Sequence, residues 1–321
     1  VRQQKMTTYW HYTDAGALAS ILQTNALWAT AAQYLNDREE VTHGLNLLKS
    51  IWREDRDSVL RSGRMHREEA EDRYSISIGP LTDEVGYVDN MLGALEANLK
   101  DLPLFILCAS TAGDSLSQWR AYGAGQGYAV AMESAAGAVP LGVLVPEAQY
   151  EPAASSIYPA WQSVTYNDSE KRMKMHSTLV RALTWGRDAH LEEGSELRSL
   201  LTYQDIATLK HSGFEDEREV RFMAAHPSLD QVFSVRAGRY GLTPYVRIGA
   251  WPSEMLEERF IMEPSPSFLA TTPDVGAPLP ITEVRVGPSP HMETAERGLR
   301  RALDRFGYGH VRTSLSAIPY R

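Results

Sequence analysis

Three short stretches of this chain hold residue types that do chemistry. The most informative spacing is Glu217-x-Glu219-x-Arg221. Glu217 to Met223 alternates polar and apolar residues, the mark of a half-buried strand. Strand side chains alternate between faces, so Glu217, Glu219 and Arg221 share one side, while Arg218, Val220 and Phe222 take the other. Two carboxylates at alternate positions raise each other's pKa unless a cation intervenes, and Arg221 is placed to be that cation. A polar face lining a cleft and an ion-paired face open to solvent both fit this spacing.

His11-Tyr12-Thr13 closes an aromatic, β-branched stretch just before a turn, a common place for binding residues. Ser115 to Gly123 is rich in donors and rings. Arg120 suits bidentate contact with a phosphate or carboxylate, and Trp119 or Tyr122 suits stacking on a planar ring. The same two rings also fit a core role. Gly123-Ala124-Gly125-Gln126-Gly127 precedes a strand instead of leading from a strand into a helix. It therefore reads as a hairpin turn and not as a nucleotide fingerprint. The single cysteine, Cys108, lies in the apolar run 104–109, which predicts a buried structural thiol. One cysteine excludes an intrachain disulfide framework. The nine histidines are scattered singly, so no metal is expected.

The elements that must position these residues follow from pattern. A strand over 7–12 leads to Asp14, an N-cap for a helix over 15–23 with Leu18, Ile21 and Leu22 as its buried stripe. Asn25 ends that helix in the left-handed conformation it tolerates. A second strand covers 27–30, and Asn36-Asp37 opens a helix past Leu45, Leu48 and Trp52. The charge-dense stretch 53–73 predicts its exposed continuation, laced with ion pairs. A central strand over 104–109, another over 128–132, helices over 170–190 and 197–210, and short strands at 163–166, 217–223, 232–235, 245–248 and 281–286 follow. A final amphipathic helix over 294–306 and a strand over 311–314 end the pattern. The fold class is α+β, in one elaborated domain over 1–321 with a helical insertion around 37–100.

Composition sets outer bounds. Of the 321 residues, 43% are hydrophobic and 23% charged, which suits a packed core over disorder. No run approaches the roughly 20 apolar residues of a membrane span, so no membrane partner is expected and the chain reads as cytoplasmic. A net charge of −9 argues against broad nucleic-acid binding but leaves room for a local basic cleft.

Taken in order, Tyr9 to Thr13, Leu27 to Thr30 with Asn36 to Glu39, Ser117 to Gly123 with Gly127-Tyr128, Phe214 to Arg221, and Ser316 to Arg321 resemble a bacterial family known as domain of unknown function 2971. More distantly, a strand ending in histidine, a helix, a short strand and a late Glu-x-Glu strand are similar to the ADP-ribosyltransferase layout. That layout implies a split central antiparallel or mixed sheet flanked by helices, with NAD as substrate. On this resemblance His11 holds the NAD ribose, with Tyr12 and Thr13 beside it. Glu219 is the catalytic carboxylate that faces the developing oxocarbenium ion as nicotinamide leaves. Glu217 addresses the acceptor, which is protein, nucleic acid or water. Tyr34, Tyr122 and Ser110 compete for the middle position. Apart from the resemblance, the charge of Arg120 beside aromatic residues suits the pyrophosphate, and Trp119 and Arg221 are further expected cofactor contacts.

The expectation is thus an NAD-dependent ADP-ribosyltransferase or NAD glycohydrolase, with family-level analogy pointing to bacterial anti-phage defence or a toxin system. The alternatives are a noncatalytic module of the same fold that senses a nucleotide or nucleic acid, and a phosphate-directed enzyme on RNA using His11, Arg120 and Arg221.

Overall fold

The structure is a computed structural model that describes residues 7–35, 39–75, 77, 81–99, 104–123, 126–133, 138–140, 144–146, 161–185, 202–225, 233–238, 241–250, 269–271 and 277–320. The chain forms two compact units, the first from residues 1–31, 105–163 and 214–321, the second from 32–104 and 164–213.

In the first unit, β1 (Thr8–Asp14) runs into α1 (Ala15–Thr24). The Asp14 carboxylate accepts the Ala17 N–H, and Asn25 ends the helix at φ 51°, as the sequence predicts. Leu18, Ile21 and Leu22 are its buried stripe. Then come β2 (Ala26–Ala31), β3 (Leu104–Ser110), α5 (Leu116–Tyr122) and β4 (Gly127–Glu133). The remaining strands are β5 (Ala138–Pro140), β6 (Leu144–Pro146), β7 (Trp161–Ser163), β8 (Glu219–Ala225), β9 (Ser234–Gly238), β10 (Gly241–Ala250), β11 (Leu269–Thr271), β12 (Ile281–Val286) and β13 (Arg312–Leu315), with α7 (Met292–Arg305) between the last two.

Eleven strands form one mixed sheet in the order β13-β12-β4-β1-β3-β2-β10-β5, with β8 on β3 and β7, and β9 on β10. Register decides which side chains share a face. His11 pairs with Val130 and Tyr12 with Ala129; Thr30 pairs with Ile106; Trp28 pairs with Arg247. One face carries the main core, including Leu27, Ala29, Phe105, Leu107, Val130, Phe222, Val246 and Val284, with Leu299 and Leu303 of α7. Tyr308 ties this layer together: its hydroxyl donates to the Asn25 side chain at 2.7 Å and accepts the Leu279 N–H at 2.9 Å. The opposite face holds a smaller cluster of Tyr12, Trp119 and Ala129, edged by Trp10, Tyr122 and Ile318.

The second unit is helical, with α2 (Glu39–Glu54), α3 (Arg56–Tyr74), α4 (Glu84–Ala97) and α6 (Asp168–Thr184). The charge-dense stretch does not continue α2: the chain breaks at Asp55. Nor is the second helix uniformly exposed, since Arg67 is buried and donates to the Leu183 carbonyl at 2.7 Å. Gly63 permits this packing, because a Cβ there would lie 2.7 Å from Leu183 Cβ. Among the described residues, no helix is long and apolar enough to cross a membrane.

Gly127 and Gly287 let strands pass beneath Trp119. Gly287 N–H donates to the Gly127 carbonyl at 2.8 Å, and a Cβ on Gly287 would sit 2.8 Å from Trp119 Cε3 and 3.0 Å from that carbonyl. The expected hairpin at these glycines is instead a helix-to-strand connection, because α5 precedes it. Gly287→Ala should cost about 1–3 kcal/mol through overpacking, seen as a lower urea midpoint with an unchanged slope.

Candidate functional site

Glu219 and Arg221 do share a side, but it is not solvent. Both are buried, at 5% and 3% exposure. Arg221 Nε donates to Glu219 Oε1 at 2.7 Å and its Nη2 donates to Oε2 at 3.1 Å, a bidentate pair. Glu217 does not belong to that face. It ends a 3-10 turn over Ser212–Glu217, and Arg218 follows at φ 45°, so the strand begins at Glu219. The alternation in sequence thus overreached by one turn of local geometry. What Glu217 contributes is its carbonyl, which accepts from Ser110 Oγ at 2.6 Å and from Gln118 Nε2 at 3.4 Å.

His11 lies where β1 parts from β3. The two strands pair at Trp10 and Ser110. Beyond that point the His11 ring meets the Cys108 carbonyl at 2.9 Å. A carbonyl only accepts, so Nδ1 carries the proton. Burial lowers the His11 pKa first, the charge of Arg236 lowers it further, and the bond to Cys108 opposes both. The ring is therefore neutral at pH 7. Thr111 N–H donates to the Arg218 carbonyl on the other edge of β3. Cys108 and Thr111 are three apart, so their backbone groups face opposite edges, and β1 and β8 flank β3.

Adjacency of strands does not place the two key side chains on one face. His11 follows Val130 onto the main core side. Glu219 and Arg221 alternate with Phe222, a member of that core, and so leave the sheet on the other side.

The remaining expected ligands have structural partners or stand apart. Tyr12 is buried; its hydroxyl donates to Ala112 O at 2.7 Å and accepts Ser115 N–H at 3.1 Å. Burial, with help from Asp114, pushes this phenol far above its ordinary range. Thr13 is buried. Trp119 is a core ring, edge-on to Tyr12 at 4.6 Å, and its indole N–H donates to Asp114 at 2.8 Å. Tyr122 is half-buried against the same cluster. Arg120 is exposed in the last turn of α5. Tyr34, on a 3-10 turn, falls in the second unit. Cys108 is partly exposed, in contrast to the buried thiol expected. Among the described residues no group of three or more His, Cys, Asp or Glu is arranged to hold a metal.

Asp114 was not visible in the sequence as a key residue. It accepts from Trp119, from Ser316 Oγ at 2.6 Å and from Ala317 N–H at 2.8 Å. It thereby joins the Ser117 to Gly123 motif to the Ser316 to Arg321 motif. Arg236 was also missed, because one arginine in a short strand gives no local signal.

Fold and site together define a mixed α/β protein built on one large mixed sheet. Residues 118–222 match the family described as Protein of unknown function (DUF2971). No curated protein and no solved structure matches the chain. The match runs from Gln118 to Phe222, and near its ends Gln118 and Glu217 are hydrogen-bonded to each other.

Two measurements follow. Removing one partner of a buried pair strands the other charge, so Glu219→Ala should cost about 3–5 kcal/mol. The double variant Glu219→Leu with Arg221→Met should recover much of that loss in urea unfolding. His11 resists protonation when folded, so its contribution to stability is complete above its ordinary pKa of 6.5 and is lost as pH falls toward the lower folded value. His11→Asn, which keeps a donor for Cys108, should flatten the fall in Tm between about pH 7.5 and 5.5.

Proposed function

We propose that this chain is a nucleotide-sensing module of the ADP-ribosyltransferase layout, which takes NAD or ADP-ribose where β1 parts from β3 and holds no preformed catalytic centre. The observation that carries this reading is the resting state of Glu219: both its oxygens accept from Arg221, and the pair is buried. A carboxylate meant to meet a developing cation has to offer its charge to the substrate, and here a guanidinium already answers it. The placement of His11 and Glu219 on opposite faces supports the same reading.

The second reading is catalysis itself, an ADP-ribosyltransferase or NAD glycohydrolase with protein, nucleic acid or water as acceptor. Its support is that β1 and β8 flank one strand, with the His11 ring at the gap. A role in anti-phage defence or a toxin system rests on family-level analogy and belongs to either reading.

Calorimetric titration with NAD, run beside an assay for free nicotinamide, separates the two. Binding with no nicotinamide release, with or without added protein, RNA or DNA, is the expected result. Release that disappears in Glu219→Gln would overturn the sensing reading in favour of the enzyme. No binding of NAD or of ADP-ribose would end both.

A further inference from the structure

The face of the sheet turned away from the main core carries an unusual run of cations and rings in the first unit. Trp28 and Thr30 of β2 pair in register with Arg247 and Tyr245 of β10. Thr243 of β10 pairs with Arg236 of β9. Alternation places all six side chains on one side, since Ala29, Val246 and Ile248 between them belong to the main core.

Arg236 reaches over β10 to β2, where its Nη2 donates to Thr30 Oγ1 at 3.1 Å. Its guanidinium lies 5.7 Å from the Trp28 ring centre, and Trp28 packs on Tyr245 at 5.0 Å. Among the described residues no carboxylate pairs with Arg236 or with Arg247, and Arg236 Nε is buried without an acceptor. The arginines on the other described strands of this unit show the reverse. Arg221 has Glu219, and Arg285 and Arg312 have Glu283. In a chain of net charge −9, two arginines on one sheet face with no carboxylate partner among the described residues, and with half-buried aromatic rings beside them, need a reason.

A cation held on an aromatic ring gains about 0.5–1 kcal/mol at an exposed site. That is less than the roughly 1–3 kcal/mol that leaving a buried donor unsatisfied costs. An anion would supply what the described residues do not. Guanidinium groups match phosphate geometry, and flat rings beside them suit a base.

We infer that Arg236 and Arg247 form a phosphate-binding site for a nucleotide carrying a pyrophosphate, with Trp28 and Tyr245 receiving a ring of the same ligand. The site deepens the nucleotide reading and rests on it for the base, but the phosphate contact stands on these two arginines alone. Ligand charge at this site would also act on His11, which already feels the field of Arg236.

The test is calorimetric titration of the full chain with inorganic pyrophosphate, ADP and NAD, in wild type and in Arg236→Gln, Arg247→Gln and Arg236→Lys. The expected result is binding of ADP that weakens at least about tenfold in each glutamine variant, less in the lysine variant, and falls as salt rises. If a variant fails to fold, protection of Arg236 and Arg247 from phenylglyoxal by ADP, mapped by mass spectrometry in wild type, gives the same information. NAD binding that neither glutamine substitution changes would overturn this site while leaving the nucleotide reading intact. ADP and pyrophosphate binding that depends on both arginines, with no binding of NAD or ADP-ribose, would sustain the site and end that reading. No binding of ADP or pyrophosphate, or no protection of either arginine, would overturn the site.

Discussion

Ser110 sets the geometry on which the candidate site depends. It is fully buried, and its hydroxyl donates to the Glu217 carbonyl while accepting the Ala112 N–H at 3.0 Å. Its backbone is in register with Trp10. One residue on, Thr111 bonds to Arg218. The end of β3 thus fixes β1 on one side and the approach to β8 on the other. Arg218 makes the turn possible by accepting a left-handed backbone, which is uncommon outside glycine. The positions of His11 and Glu219 follow from this junction: they are brought to strands either side of β3, and strand alternation then sends them to opposite faces.

The unit resolves most of its buried charge internally. Burial alone would raise the pKa of Glu283, yet bonds from Ser314, Arg312 and Arg285 outweigh it and hold the carboxyl below its ordinary range. That network also fastens the parallel pair β12 and β13. Glu219 and Arg221 do the same for each other. Replacing a buried pair with apolar residues is often neutral or better for stability, so such pairs are evidence of constraint more than of strength. Against this background the cations on β9 and β10 stand out, because in the described residues they have no carboxylate.

Features set by a few neighbouring residues are legible in the sequence. Asp14 and Asn25 bound α1 because each cap needs only its own few neighbours. The buried stripe of α7 appears for the same reason. Glu219 and Arg221 share a face because a strand enforces it. Failures came where distant residues decide. Trp119 carries the features of a ligand-stacking ring, but Tyr12, Asp114 and Gly287, far apart in sequence, make it core. Arg67 looks solvated among charges until Leu183 supplies a carbonyl. Glu217 leaves the strand because of one backbone angle at Arg218. Arg236 and Arg247 become neighbours of Trp28 only through the register of three strands.

A crystal structure of the chain grown with NAD would show whether Glu219 acts on the nucleotide or stays bound to Arg221. The expected density is an intact dinucleotide, with Glu219 still held by both arms of Arg221. Electron density showing nicotinamide separated from ADP-ribose, or Glu219 released from Arg221 and bonded to the ribose, would contradict it.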